Sequence, residues 1–438
     1  MKRKHLFVIG LIASMALPLL SGCRNEPESQ INIKTEESDA AQGENEVVNL
    51  TFFASMDEHS NGGIYYREII QQFNAEHDGI RVTFEGVPTA DGYNEFLQSR
   101  MDKGEGDDIF IINADRVKEF YSKGYLYDMS DIPAYDLLND AAKSQATIGD
   151  IAYCLPVGMN AYCMYVNLDV LDQYGLKAPQ NLEEFKKCCE TIKAGGGTPI
   201  SLNRWYAMVV PAMANGLYKV YGAENTAEII AGMNDGSIQI GTYMEEGFQV
   251  VEDFIRNGWY GDGYTTETVD AIRAGEQDIP DFANGETAFL FTTLNAYKVI
   301  DDINPDCSYV AQGIPYAEGT LILPAINLRL CVNAGGAHLD ETLEFVEYFA
   351  THVRSVSQKN NFEYLPSFVD EVYVCPEVLK GTYDTYSNSI QIPIEDMNLE
   401  FTYWDSIRIY CINMFDGATA ADAAENYNAL QREKIGNQ

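Results

Sequence analysis

The sequence predicts an α/β protein built as two lobes. Strand-like and helix-like segments alternate along nearly the whole chain, the pattern of a parallel sheet with helices on both faces. The roughly 390 residues beyond a polar N-terminal stretch are too many for one ordinary domain and suit two. After the leader, no segment is apolar for the ~20 residues a transmembrane helix needs.

The N-terminus stands apart from the fold. Lys2-Arg-Lys4 is basic, residues 6–20 are apolar, and Leu20-Ser-Gly-Cys23 follows. This is a secretory signal spanning residues 1–22. Residues 23–46 are rich in Glu, Ser, Asn, Gln and Ala with few apolar side chains, so they form a solvated tether.

The chain proper opens with a strand over residues 47–54, a polar loop, and a helix over 64–76 whose apolar residues recur at helical spacing. A strand over 80–85 and a helix over 92–103 repeat the pair. A short buried strand over 108–112 ends in Asn113-Ala-Asp115, and a helix over 116–123 follows. The stretch Leu155 to Asp169 is the centre of the chain. Pro156 and Gly158 punctuate its entrance, and residues 161–166 are a β-branched and aromatic strand. Asp169 reads as the N-cap of the helix that Gly175 closes. Helices over 182–194, 207–215, 226–233 and 244–257 come next, the first two separated by a strand over 199–202. A helix end, the Gly285 turn and a strand make up residues 282–291. Strands over 309–314 and 328–332 precede helices over 341–353, 404–415 and 420–434. Gly195-Gly-Gly-Thr198 is a turn, Trp259 a packing residue, and Cys188-Cys189 lies mid-helix with one thiol toward the core.

Composition narrows the function classes. The formal charge of −37 grows more negative once the basic leader is removed, and it argues against nucleic acid or anionic lipid bound through a basic patch. Of nine cysteines, the eight beyond Cys23 show no CxxC pair and no small-domain spacing, so most are free buried thiols. The chain contains no GxSxG elbow, HExxH or GxxxxGK[ST] loop, and its five His include no metal-spaced pair. No cofactor and no metal is expected.

Three phrases taken in order, behind a lipobox-like leader, resemble family 1 of the extracellular solute-binding proteins, the family of maltose-binding protein. Leu20-Ser-Gly-Cys23 resembles a bacterial lipobox. Asn74-Ala-Glu-His-Asp-Gly-Ile-Arg-Val82, Tyr165-Val-Asn-Leu-Asp169 with Gly175-Leu176 and Pro179, and Phe282-Ala-Asn-Gly-Glu-Thr-Ala288 match family phrases across residues 47–438. Val166 and Leu168 depart from the usual Tyr and Lys. The resemblance implies a periplasmic-binding-protein fold, two α/β lobes joined by three hinge crossings with a ligand cleft between them. The crossings would lie near 158–161, 325–328 and 392–396. Lobe one would be 47–158 plus 327–390, and lobe two 159–326 plus 391–438. It also implies Cys23 as the lipid attachment site.

Ligands of open α/β sheets sit beyond the carboxyl ends of strands. On the resemblance, the candidate substrate-binding residues are Asp57, Asn113, Asp115, Asn160, Trp205, Tyr206, Asn295 and Trp404. Carboxylates and amides bond paired sugar hydroxyls, while Trp and Tyr faces cover the apolar face of a pyranose. Asp57 and Asp115 read equally well as solvated or capping carboxylates, and Trp404 also begins a helical apolar stripe. The expected function is sugar or oligosaccharide capture for an ABC importer, without catalysis. The partners are the carbohydrate, the permease subunits, and a membrane reached only through lipid. The chain would be a monomer on the outer face of the bacterial cytoplasmic membrane. The alternatives are a surface glycan-degrading lipoprotein enzyme and a sugar-binding subunit for a sensor kinase.

Overall fold

The computed structural model describes residues 47–56, 61–87, 90–356, 365–371, 374–401 and 404–436. Cys23, the leader, the tether and Asp57 lie outside these residues. In chain order the strands are β1 (Val48–Ala54), β2 (Ile80–Gly86), β3 (Ile109–Ile112), β4 (Thr147–Ile148), β5 (Ile151–Ala152) and β6 (Leu155–Asn167). They continue with β7 (Thr198–Ile200), β8 (Thr287–Thr293), β9 (Tyr309–Gln312), β10 (Ile314–Tyr316), β11 (Gly319–Leu321) and β12 (Leu323–Val332). β4–β5 and β10–β11 are small hairpins. The others join in one sheet of order β2-β1-β3-β12-β6-β8-β7, with β9 also on β6.

This sheet is mixed, not the parallel sheet expected. β1 runs parallel to β2 and β3, and β7 to β8, but β12 is antiparallel to β3 and β6, and β6 to β8 and β9. The antiparallel members are the two long strands shared by both halves of the molecule. One end of β12 pairs with β3, and the far end of β6 pairs with β8. Their middles, around Met159–Ala161 opposite Pro324–Ile326, therefore bridge the two halves.

Alternation along β6 feeds two cores. Cys163 and Tyr165 enter one cluster with Phe52, Phe110 and Phe345. Met164 and Val166 enter the other with Phe185, Phe248 and Phe289. Successive side chains of a strand point to opposite faces, so a single strand serves both.

β6 is also twice as long as the expected strand over 161–166. Pro156 and Gly158 lie within it rather than at its entrance, because the ladder with β12 continues to Leu155 opposite Leu330. The irregularity is absorbed at Gly158, whose φ of 73° only glycine adopts cheaply. The helix after β6 spans Leu168–Gln173, and its cap is Asn167, whose side chain accepts from the Val170 amide at 3.0 Å. Asp169, the expected cap, instead accepts from the Ser308 amide.

Helix bounds shift elsewhere as well. The first helix is Asn61–Glu76, and the segment expected over 207–215 runs Tyr206–Tyr221 through Pro211. Pro211 cannot donate to the Ala207 carbonyl four residues back. The buried Tyr260 hydroxyl supplies that bond at 2.6 Å. Helix Ile240–Arg256 crosses this helix at Gly247, where a Cβ would stand 2.0 Å from the Ala212 carbonyl oxygen. All eight described cysteines are free thiols, and both Cys188 and Cys189 are buried, since neighbouring apolar elements cover both sides of that helix turn.

Candidate functional site

An aromatic group forms where four elements meet. After β7, the buried Asn203 accepts from the Trp205 and Tyr206 amides at 2.9 and 2.7 Å and donates to the buried Asp278 carboxylate at 2.7 Å. This side chain closes the turn that leads into the helix Tyr206 begins, and so holds the backbone from which the two rings project. Trp404 begins the helix Trp404–Asn413. Its ring lies 6.3 Å from that of Trp205 at an interplanar angle of 16°, and 6.3 Å from Tyr206. Tyr162 of β6 packs between them, 5.0 Å from both Tyr206 and Trp404. One turn beyond Trp404, the Arg408 guanidinium covers the Trp205 ring at 4.6 Å and pairs with Asp270 at 2.6 Å. Burial raises the pKa of the Tyr162 and Tyr206 hydroxyls, so both stay neutral donors.

Trp404 also lines a cavity of about 170 Å³ with Asp115, Lys118, Glu395, Asp396 and Asp405. Asp115 and Lys118 come from the turn and helix after β3, so residues distant in sequence face one another here. Burial lowers the Lys118 pKa, against the opposing pull of Glu400, Asp396 and Glu395. Glu395 is raised, first by burial and then by Asp115 and Asp405, while Arg329 works the other way. Its Oε2 is buried without a hydrogen-bond partner. Arg329, buried on β12, donates from Nε to the Tyr153 hydroxyl at 3.1 Å. Ring faces on one side and hydrogen-bonding groups on the other suit a polyhydroxylated ligand with an apolar face. Among the described residues, no group of three or more His, Cys, Asp or Glu is placed to hold a metal.

The expected site residues fall into three sets. Trp205, Tyr206 and Trp404 pack together, and Asp115 shares the cavity with Trp404. Asn113 stands two residues before Asp115, its amide 3.5 Å from the Asn94 side chain. Asn160 lies in the bridging part of β6 opposite Ala325, its Oδ1 occupied by the Ala161 amide. Asn295 begins the helix Ala296–Ile303, two residues past Thr293, the strand partner of Tyr162. Asp57 lies outside the described residues.

Tyr162, Lys118, Glu395 and Arg408 were not anticipated. The four-residue spacing of Trp404 and Arg408 on one helix face was a readable signal for the last. Tyr162 was hidden inside an apolar strand.

The model of the bacterial extracellular solute-binding proteins matches residues 57–353. The chain belongs to that family. The multiple sugar-binding protein of Streptococcus mutans is 24% identical over 331 residues, 72% of this chain and 74% of its own. The melibiose/raffinose/stachyose-binding protein MelE of Bacillus subtilis is 28% identical over 194 residues, 43% of this chain and 40% of its own. A solved family 1 extracellular solute-binding protein from Bifidobacterium longum subsp. infantis superposes with a TM-score of 0.75 at 16% identity, covering 90% of this chain and 100% of its own. The fold is thus the two-lobed α/β architecture of these binding proteins. No helix among the described residues is long and apolar enough to cross a membrane.

Proposed function

We propose that this solute-binding protein captures an oligosaccharide by closing two lobes around it and delivers it to the permease of an ABC importer. The observation that carries the reading is the meeting of Trp205, Tyr206, Tyr162 and Trp404 with the polar cavity of Asp115, Lys118 and Glu395. Lobe one comprises 47–158 plus 327–390 and lobe two 159–326 plus 391–438. The hinge crossings fall in the middles of β6 and β12 and in residues 392–396. The rings cover the sugar's apolar face, and the carboxylates and amides, Asp57, Asn113 and Asn160 among them, take its hydroxyls. Asn295 completes the wall beside Tyr162.

Support for a carbohydrate comes from the names of the relatives, one binding multiple sugars and one melibiose, raffinose and stachyose. The second of these names makes galactosyl oligosaccharides the first ligands to try. In this reading the protein carries out no reaction on the sugar. It works as a monomer on the outer face of the cytoplasmic membrane, held by a lipid on Cys23. Titration calorimetry against mono- and oligosaccharides tests the proposal. Saturable one-to-one binding of at least one saccharide is the expected result, and turnover of a bound glycan without retention would reject it.

A further inference from the structure

Arg408 stands over one face of Trp205, its guanidinium carbon 4.6 Å from the ring centre. That face is closed to a ligand, and only the other can carry a sugar. The guanidinium donates from Nη1 to Asp270 at 2.6 Å, while its Nε is buried with no hydrogen-bond partner among the described residues. An unsatisfied buried donor costs free energy. The Arg408 side chain is 20% exposed, and a swing toward solvent would hydrate that nitrogen. It stays on the ring instead.

Asp270 organises more than the arginine. Its backbone carbonyl accepts from Arg204 Nη1 at 3.1 Å, and the Arg204 amide donates to the Ile272 carbonyl at 3.0 Å. The residue before Trp205 and the cation on its ring are thus held by one segment. That segment ends the short helix Thr266–Asp270. At the other end of this helix the Thr266 hydroxyl donates to the Ile412 carbonyl at 3.0 Å, in the last turn of Arg408's own helix. The short helix therefore braces Arg408 against the loop that carries Trp205. The ion pair itself adds little stability, because the Asp270 side chain is 54% exposed and exposed pairs contribute little. Its consequence is geometric. A guanidinium is flat and stacks on an indole, which a lysine ammonium cannot do.

We propose that Arg408 is a positioning residue for capture: braced by Asp270, it fixes the Trp205 ring with one face open to the sugar. An indole turns about two side-chain bonds, and a ring that must be ordered on binding lowers the affinity. With Arg408 in place that freedom is already gone in the unliganded protein. The effect on capture rests on the reading of Trp205 as part of the sugar platform; the fixing of the ring does not.

Two measurements on the full chain test this. In calorimetry with the best saccharide, Arg408→Gln should weaken binding about three- to tenfold with little change in melting temperature. Asp270→Asn should weaken it about two- to threefold. Arg408→Lys keeps the charge without the plane and should stay within about twofold of Arg408→Gln. In a Trp205→Ala background Arg408→Gln should cost less than about 1.5-fold, because a residue acting through the ring has nothing left to act on. The second measurement needs no ligand. The chain has three tryptophans, so labelling with 5-fluorotryptophan gives three fluorine resonances. Arg408→Gln should move the resonance that Trp205→Ala removes and leave that of the buried Trp259 in place. A Trp205 resonance left unmoved would overturn the positioning. So would parent-like affinity in Arg408→Gln, or an equal loss with and without the Trp205 ring, since Arg408 would then bind the sugar itself. If no saccharide binds, the sugar-platform reading fails, while the fluorine spectrum still decides whether Arg408 fixes the ring.

Discussion

Replacing Trp404 with alanine removes the member of the aromatic group that touches all the others. Its ring is in contact range of Tyr162, Tyr206 and Trp205 and also forms a wall of the cavity with Asp115 and Lys118. Truncating an aromatic anchor in a desolvated pocket costs ~2–4 kcal/mol of binding, a loss of about 30- to 1,000-fold in affinity. The ring is only half-buried. Its structural cost is therefore below the ~3–5 kcal/mol of a fully buried Trp→Ala change, and the variant stays folded. Trp205→Ala should follow the same course, with an added effect on the Arg408 that rests on its ring. Asp115→Ala should cost less, since Asp115 is exposed and water replaces part of such a carboxylate's bonding. Calorimetry with the best saccharide, beside a melting curve for each variant, separates binding from folding. If both Trp variants bind like the unaltered protein, the sugar platform is elsewhere and the site assignment is refuted.

Three further outcomes are expected. Cys23→Ser should leave the fold intact and release the protein into the medium; retention on membranes after a high-salt wash contradicts the lipid anchor. Saccharide should lower the radius of gyration in solution scattering and add about 2.7 kcal/mol of stability at 100 times Kd; a tight ligand that does neither counts against hinge closure. Glu395→Gln should gain stability relative to the parent near pH 7. The folded-state pKa of Glu395 is raised, chiefly by burial, so its contribution is intact below the unfolded value of about 4.3 and is lost as pH rises through the folded one. The melting difference between variant and parent should therefore shrink toward acid pH, and a difference that is flat from pH 4 to 8 would contradict the burial of this carboxylate.

Local rules read some of this chain well and other parts poorly. The helix Leu182–Ala194 and the Gly285 turn were legible because a cap, a helical stripe and a left-handed glycine each act within a few residues. β6 was read at half its length, since Pro156 and Gly158 are usual punctuation and only the register with β12 shows that pairing continues past them. The mixed direction of the sheet was hidden for the same reason: alternation of strand and helix does not reveal that β12 returns antiparallel from the far half. In the site, Trp205, Tyr206 and Trp404 stood out as large rings at element starts. Tyr162 and Glu395 did not, because one resembles core strand and the other is one of 66 acidic residues. Their role depends on which residues the fold brings opposite them.

The central claim is that the cleft between the two lobes captures an oligosaccharide against the Trp404 group. Calorimetric titration of the mature chain with a panel of mono- and oligosaccharides, the galactosyl series included, tests it most directly. One-to-one binding of at least one oligosaccharide in the micromolar range or tighter, weakened about 30-fold or more by Trp404→Ala, is the predicted result. Absence of binding across the panel, or binding indifferent to Trp404→Ala, contradicts it.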